Sequence, residues 1–133
     1  MSQENVELVR EAWKAYKERG LGAASEYFAE DCLYEDFPEM PDGATYTGMD
    51  GLLERTRNFG EMFGDWVMEP VEYIDAGGDT VVAVIAMTGW GKGGGVPLDA
   101  PAVFVYELRD SKIVRDRACM SRAAALKAVG LAE

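Results

Sequence analysis

The stretch FAEDCLYEDFPEM, residues 28–40, decides how the fold is read, because it joins a strand pattern to five carboxylates. Side chains alternate between the two faces of a strand. Alternation places Cys32, Tyr34 and Asp36 on one face and Glu35 on the other. One face is expected to be buried, so a carboxylate is expected inside the protein whichever face that is.

The chain has 133 residues, and 48% of them are hydrophobic. This length is typical of one domain with a sizeable core, so we expect a single domain over residues 1–133. The 24 acidic and 13 basic residues give a net charge of −11 at pH 7. Such a surface repels phosphate backbones and anionic membranes, which argues against nucleic-acid and membrane partners.

The sequence contains no histidine. Histidine is the most frequent general base and metal ligand, so any chemistry must rely on carboxylates, Tyr, Lys, Arg, Cys or the backbone. Nothing in the sequence indicates a metal or an organic cofactor. Cys32 and Cys119 lack a CxxC spacing, and we expect buried thiols, with a disulfide or a nucleophile as alternatives.

The first residues are charged and amphipathic, which is not the pattern of a signal peptide. The longest apolar run, VVAVIAM at 81–87, is too short to cross a bilayer. We therefore expect a soluble, cytoplasmic protein.

Hydrophobic periodicity and turn residues predict an α+β order of elements. Asp50 is the predicted N-cap of the third helix, and Ser121 and Gly130 bound the last one. We expect three helices to cover one face of a curved antiparallel or mixed sheet and to leave a cone-shaped cavity. The predicted elements are helices over 3–19 and 23–30, a strand over 32–37, a loop over 38–48, a helix over 51–65, strands over 67–76, 80–90, 99–109 and 112–120, and a short helix over 122–129.

Aromatic residues are expected to line this cavity or to fill it as an ordinary core. An open apolar cavity would suit a flat, mostly hydrophobic molecule. Trp90 lies between two glycines, either at the cavity mouth or on the sheet edge. The surrounding motif, GWGKGG, is not followed by the helix that nucleotide binding requires. The expected lining aromatics are Trp13, Phe28, Phe59, Phe63 and Trp66.

The last strand carries charges on both faces. Asp116 shares one face with Ala118 and Met120, and Arg115 and Arg117 share the other. If the Ala118 face is the inner one, Asp116 is a second carboxylate in the cavity. The alternative is a structural aspartate that forms a salt bridge near the rim.

Four segments resemble the nuclear transport factor 2-like superfamily, and most of all its polyketide-cyclase SnoaL-like branch. They are YFAEDCLYED, YTGMDGLLE, DAPAVFVYELRDSKIVRDRA and AAALKAVGL. The fold of this superfamily hosts isomerases, cyclases, epoxide hydrolases, dehydratases and non-enzymatic binders. The resemblance also implies a homodimer formed through the open face of the sheet.

Ketosteroid isomerases of this superfamily place their proton-transferring aspartate at the position of Asp36. The resemblance therefore implies that Asp36 faces the cavity, where loss of solvation raises the pKa of a carboxylate. The oxyanion-binding residues of these isomerases fall on Trp13 and Val103, of which only Trp13 can donate a hydrogen bond. The base of the cyclase branch falls on Ala118.

Epoxide hydrolases of this fold need an Asp-Arg-Asp set that reaches one water. Asp36 and Asp116 could supply its two carboxylates. We expect no arginine between them, because Arg109, Arg115 and Arg117 are all expected to point outward.

We expect a small-molecule enzyme that transfers a proton on a hydrophobic carbonyl-type substrate, as isomerases and cyclases do. Asp36 is the expected base, assisted by Asp116, Tyr34 or Trp13. The alternative is a non-catalytic ligand-binding or dimerisation module of the same fold. The expected ligand-binding residues are Trp13, Phe28, Phe59, Phe63, Trp66, Trp90, Val103, Ala118 and Met120.

Overall fold

The computed structural model describes residues 2–36, 45–91, 97–119 and 121–131, with side chains described for 3–36, 45–58, 67–89, 101–119 and 121–131. Helices and strands follow one another in the predicted α+β order. The elements are α1 Ser2–Arg19, α2 Leu21–Ala24, a 3-10 helix Ser25–Tyr27, β1 Phe28–Glu35, β2 Thr45–Thr47, α3 Gly48–Met62, β3 Phe63–Asp75, β4 Thr80–Gly91, β5 Pro97–Arg109, β6 Lys112–Cys119 and α4 Arg122–Ala128.

The strands form one mixed, unclosed sheet with the order β2-β1-β6-β5-β4-β3. Only β1 and β6 pair in parallel within the described residues. Asp116 on β6 lies opposite Tyr34 on β1 and Tyr106 on β5. Side chains at paired positions point to the same face, so these three residues form a row across the sheet. The predicted curved sheet with helices on one face and a short carboxy-terminal helix is confirmed.

Two predicted helix boundaries were wrong. The second helix was predicted to continue to residue 30, but β1 already begins at Phe28, which pairs with Ile113 of β6. The third helix was predicted to reach residue 65, but Phe63 and Trp66 belong to β3 and pair with Gly91 and Gly89. Pairing with a neighbouring strand outweighs helical periodicity for these β-favouring aromatics.

The approach to α3 also differs from the prediction. Residues 45–47 form β2 within the predicted loop, and α3 begins at Gly48, which puts Asp50 in its first turn. A Cβ atom on Gly51 would lie 2.8 Å from the Cβ of Tyr46. The close packing of α3 on β2 therefore depends on a glycine at position 51.

The sheet separates two apolar clusters. One packs beneath α1 and α3 and includes Val9, Cys32 and Ile85. The other lies on the opposite face and includes Val103 and Cys119. Both cysteines are buried thiols that form no disulfide, as expected.

The last helix was predicted correctly. Ser121 is its N-cap, since the Oγ of Ser121 accepts a hydrogen bond from the backbone N–H of Ala124 at 3.0 Å. Gly130 follows the helix with a φ of +80°, a conformation that glycine adopts without strain. Among the described residues, no helix is both long and apolar enough to cross a membrane.

Candidate functional site

A cavity of about 150 Å³ lies between the helical layer and the sheet. Its described lining is mostly aliphatic and aromatic, with side chains from α1, α2, α3 and the inner face of the sheet. Three charged residues also line it, Asp36, Arg55 and Asp116. We call these three the inner cluster. An apolar cavity of roughly this volume can hold a benzene-sized molecule.

Asp116 is the most buried acid of the inner cluster, with 5% of the residue exposed. Its Oδ2 lies 3.1 Å from Nη1 of Arg55. Its Oδ1 is buried and has no hydrogen-bond partner in the described part of the chain. Burial raises the pKa of Asp116, and the nearby charge of Asp36 acts in the same direction, while Arg55 opposes both. The carboxyl group therefore has an elevated proton affinity and a free acceptor atom at the cavity.

Asp36 follows the end of β1 and has more polar contacts than Asp116. Its Oδ2 accepts a hydrogen bond from the Tyr46 hydroxyl at 3.1 Å, and its Oδ1 lies 3.5 Å from Nε of Arg55. Asn58 in turn donates to the Tyr46 hydroxyl oxygen at 3.1 Å. Residues of β2 and α3 thus fix the orientation of this carboxylate.

Arg55 joins the two carboxylates, and sequence reasoning missed it. Its Nη2 also donates to the backbone oxygen of Glu35 at 3.2 Å. Burial by itself lowers the pKa of Arg55, but Asp116 and Asp36 more than offset this, so the pKa is raised and the guanidinium stays charged. The expectation that no arginine lies between the aspartates was wrong. The signal was present, because Arg55 lies three residues after Leu52 and beside Thr56 on the inward stripe of α3.

Tyr106 is a second residue that sequence reasoning missed. Its hydroxyl oxygen accepts a hydrogen bond from Nε1 of Trp13 at 3.1 Å. Burial raises the pKa of Tyr106 well above its usual value, so the phenol stays neutral. Alternation along β5 could have placed it inward, two residues after Phe104, which also lines the cavity.

Apart from Val103, the other expected site residues fall into three groups. Trp13, Phe28 and Ala118 line the cavity. Tyr34 is buried in the adjacent core and shares a hydrogen bond with Cys32, the thiol of which has its pKa raised to about 12 by burial. Met120 and the side chains of four aromatics lie outside the described residues, namely Phe59, Phe63, Trp66 and Trp90.

Val103 does not line the cavity. It is fully buried in the cluster on the opposite face of the sheet. Alternation along β5 turns Phe104 and Tyr106 towards the cavity, so Val103 points towards α4. The expected place of Val103 in the ligand site is therefore corrected.

A second set of charges lies on the opposite face of β1, β5 and β6. Nε of Arg115 donates to Oε1 of Glu35 at 2.6 Å, and Nη1 of Arg115 donates to Oε2 of Glu107 at 3.1 Å. We call these three residues the outer cluster. Nε of Arg117 lies 3.8 Å from the same Glu35 oxygen. The hydrogen bond from Arg115 lowers the pKa of Glu35, although partial burial opposes this.

The fold belongs to a recognised class. The SnoaL-like domain family matches residues 9–116, so the chain belongs to that family. A search of the curated proteins found no match. The predicted relationship to the nuclear transport factor 2-like superfamily and its SnoaL-like branch is confirmed.

Solved structures support the same fold. A nuclear transport factor 2-like protein of unknown function from Burkholderia pseudomallei is 19% identical, with a TM-score of 0.77, and the match covers 95% of this chain and 97% of that chain. TerC, crystallised with polyporic acid, is 19% identical, with a TM-score of 0.75 and coverage of 96% and 98%. A protein of ketosteroid isomerase-like fold from Catenulispora acidiphila, in complex with trimethylamine, is 25% identical, with a TM-score of 0.68 and coverage of 94% and 93%.

Proposed function

We propose that the protein is a small-molecule enzyme in which a buried carboxylate transfers a proton on a hydrophobic carbonyl compound, as isomerases and cyclases do. One observation carries the proposal. Oδ1 of Asp116 is buried at an apolar cavity and has no hydrogen-bond partner among the described residues. A carboxyl group with a raised pKa and a free acceptor atom is suited to general base catalysis.

Asp116 takes the role of base in this proposal, in place of Asp36. The carboxylate of Asp36 is already held by the Tyr46 hydroxyl and by Arg55. In the proposed step, a C–H bond beside the carbonyl breaks, its proton moves to Oδ1 of Asp116, and its electron pair delocalises onto the carbonyl oxygen as an enolate. Where the substrate is a β,γ-unsaturated ketone, the enolate is a dienolate, and return of the proton to its γ-carbon completes an isomerisation without an oxidant or a reductant.

Arg55 has a positioning role. It contacts Oδ2 of Asp116, so Oδ1 is the oxygen that remains available to a ligand in the cavity. Its fixed positive charge also limits how far burial can raise the pKa of Asp116, because a cation favours the ionised carboxyl. Asp116 can therefore ionise while it remains buried.

Exchange of α-protons for deuterium tests this proposal without knowledge of the substrate. We expect the protein to accelerate exchange of the methyl protons of acetophenone in D₂O, measured by NMR, beyond an equal concentration of acetate. The exchange rate should rise with pH as Asp116 ionises, with a midpoint above the usual pKa of an aspartate. Asp116→Asn should lower the rate by about 10²- to 10⁴-fold, the usual contribution of a general base.

Asp110→Asn is the matched control. Asp110 is exposed in the β5–β6 turn at a φ of +51°, which asparagine tolerates well. This variant should exchange at the wild-type rate. An Asp116→Asn variant that exchanges as fast as the wild type would remove Asp116 from the mechanism.

A non-catalytic ligand binder is the second candidate function. The observation in its favour is that Arg55 pairs with both carboxylates, which suits a static polar end of a pocket. Two proteins of similar structure were crystallised with small molecules, polyporic acid and trimethylamine. Saturable binding of acetophenone without any acceleration of exchange would favour this candidate.

We also propose a homodimer through the outer face of the sheet. Val67 and Val71 on β3 are 56% and 62% exposed, and the outer cluster offers carboxylates and an arginine to a second copy. Sedimentation equilibrium should give twice the chain mass, and Val67→Lys should shift the species towards the monomer. A wild-type chain that sediments as a monomer would contradict the proposal.

A further inference from the structure

We infer that Tyr106 donates the hydrogen bond that holds the carbonyl oxygen of the ligand, and that Trp13 fixes the direction of this bond. The inference deepens the proposed function and rests on it for the chemical class of the ligand. Nothing in the expected site residues pointed to Tyr106, which comes from the middle of β5.

The contact with Trp13 fixes the direction of the hydroxyl proton of Tyr106. The indole N–H of Trp13 is a donor only, so the Tyr106 oxygen must be the acceptor in their 3.1 Å contact. The proton of Tyr106 therefore points away from Trp13. The aromatic ring of Phe104 packs against both side chains, 5.8 Å from the ring of Trp13 and 6.1 Å from that of Tyr106, and this packing restrains them.

The hydroxyl proton of Tyr106 is buried and needs a hydrogen-bond acceptor. No described residue accepts the hydroxyl proton of Tyr106, since Trp13 is its one hydrogen-bond partner in the part of the chain that the structure describes. Tyr106 is only 3% exposed and lines the cavity. A buried hydroxyl proton without an acceptor destabilises a fold by about 1–3 kcal/mol, and folded proteins contain few such groups. A ligand in the cavity is the acceptor that would satisfy it.

Asp116 lies beside Tyr106 on the inner face of the sheet. Tyr106 and Asp116 lie directly opposite each other on β5 and β6, where Cβ atoms are about 4.5–5.5 Å apart. Among the described residues no hydrogen bond joins them, since Oδ1 of Asp116 has no partner there and Oδ2 contacts Arg55. An unpaired donor and an unpaired acceptor therefore face one cavity from adjacent strands.

This pair of groups restricts the ligand class. A ligand that satisfies both groups carries an acceptor oxygen and, on a carbon two bonds away, a hydrogen that it can give up. A neutral, planar, enolisable carbonyl compound meets both conditions. A carboxylate ligand would be repelled by Asp116, and an alkylammonium ion would offer no acceptor to Tyr106. A neutral phenol of raised pKa can donate to the oxygen of an enolate without losing its proton.

The infrared band of a bound ketone tests the inference directly. The probe is acetophenone with ¹³C at the carbonyl, and the control ligand is α-methylstyrene, which replaces the oxygen with a methylene group. In the wild-type protein we expect the carbonyl stretch at a lower frequency than in hexane. Tyr106→Phe should abolish this shift and weaken acetophenone binding about 10-fold, the equivalent of one hydrogen bond, with α-methylstyrene binding unchanged.

Trp13→Phe tests the positioning role separately. It retains an aromatic ring but lacks the N–H that orients Tyr106, so the hydroxyl gains rotational freedom. We expect a carbonyl band that is broader and less shifted than in the wild type, with a smaller loss of affinity than in Tyr106→Phe. A band identical to that of the wild type would remove Trp13 from the inference.

The outcomes separate this inference from the proposed function. Asp116→Asn should lose proton exchange but keep the carbonyl shift. A carbonyl-band shift that depends on Tyr106, without any Asp116-dependent proton exchange, would contradict the proposed function. The carbonyl-binding role of Tyr106 would remain. Wild-type frequency and affinity in a folded Tyr106→Phe variant would overturn the inference, and so would a failure of acetophenone to bind to the wild-type protein.

Discussion

The inner and outer clusters both draw on β6 and on the end of β1 but behave in opposite ways. Each joins two carboxylates through one arginine, and residues adjacent in the chain supply part of each set. Glu35 belongs to the outer cluster and Asp36 to the inner one. Arg115 belongs to the outer cluster and Asp116 to the inner one. The comparison isolates the effect of environment, because the chemical groups are nearly the same.

Burial explains the difference between them. Burial dominates at Asp116 and raises its pKa, whereas a hydrogen bond from Arg115 dominates at Glu35 and lowers its pKa. Side-chain exposure is 7% for Asp116 and 26% for Glu35. The outer cluster is therefore a surface salt bridge, while the inner cluster has the electrostatics of a functional site.

The arginines give the largest expected effect. Arg55→Met leaves two carboxylates beside an apolar cavity without their cation, and we expect a loss of about 3–5 kcal/mol in the free energy of unfolding at neutral pH. Arg115→Met on the outer face should lose less than about 1 kcal/mol. Urea denaturation measures both. The loss in Arg55→Met should shrink at acidic pH, because protonation removes the unpaired charges.

Equal losses for the two arginine variants would break the comparison. It would mean that solvent screens the inner cluster as well as the outer one. The base role proposed for Asp116 would then lose its physical support.

The two carboxylates Asp116 and Glu35 should give stability opposite pH dependences, because their pKa values are shifted in opposite directions. The folded-state pKa of Asp116 is raised, so its contribution to stability is lost as pH rises from the unfolded-state pKa through the folded one. Asp116→Asn should therefore become more stable relative to the wild type over this range. The folded-state pKa of Glu35 is lowered, so Glu35→Gln should be less stable at neutral pH, and this deficit should vanish as pH falls through that pKa.

Urea unfolding at a series of pH values measures both trends. The exposed Asp110→Asn variant should show neither of them. Slopes of the same sign for Asp116→Asn and Glu35→Gln would contradict the opposite pKa shifts.

Tyr34→Phe gives the smallest expected effect and tests whether Tyr34 belongs to the catalytic site. Tyr34 shares the inner face with Asp36 and Asp116, but its hydroxyl is bonded to Cys32. We expect a loss of about 0.5–1 kcal/mol in stability, from one hydrogen bond, and an unchanged rate of acetophenone exchange. A large fall in the exchange rate with a normal free energy of unfolding would show that Tyr34 is a catalytic residue after all.

Much of the architecture could be predicted from local patterns. Alternation in residues 28–40 and 112–119 correctly separated Asp36 and Asp116 from Glu35 and Arg115, since strand periodicity is a property of the backbone. Helix periodicity placed Trp13 inward. The boundaries near Phe28 and Phe63 could not be predicted in the same way, because pairing with distant strands decides them.

The sequence by itself determined the α+β class, the lack of histidine chemistry and the separation of the two aspartates from Glu35 and Arg115 across their strands. Only the tertiary structure revealed that Arg55 joins these aspartates and that Trp13 donates a hydrogen bond to the hydroxyl oxygen of Tyr106. The physical reason is the range of the interactions. Periodicity acts between residues a few positions apart, whereas Trp13 meets Tyr106 across 93 positions of the chain. Such contacts, and the pKa shifts that burial produces, exist only once the helices have packed on the sheet.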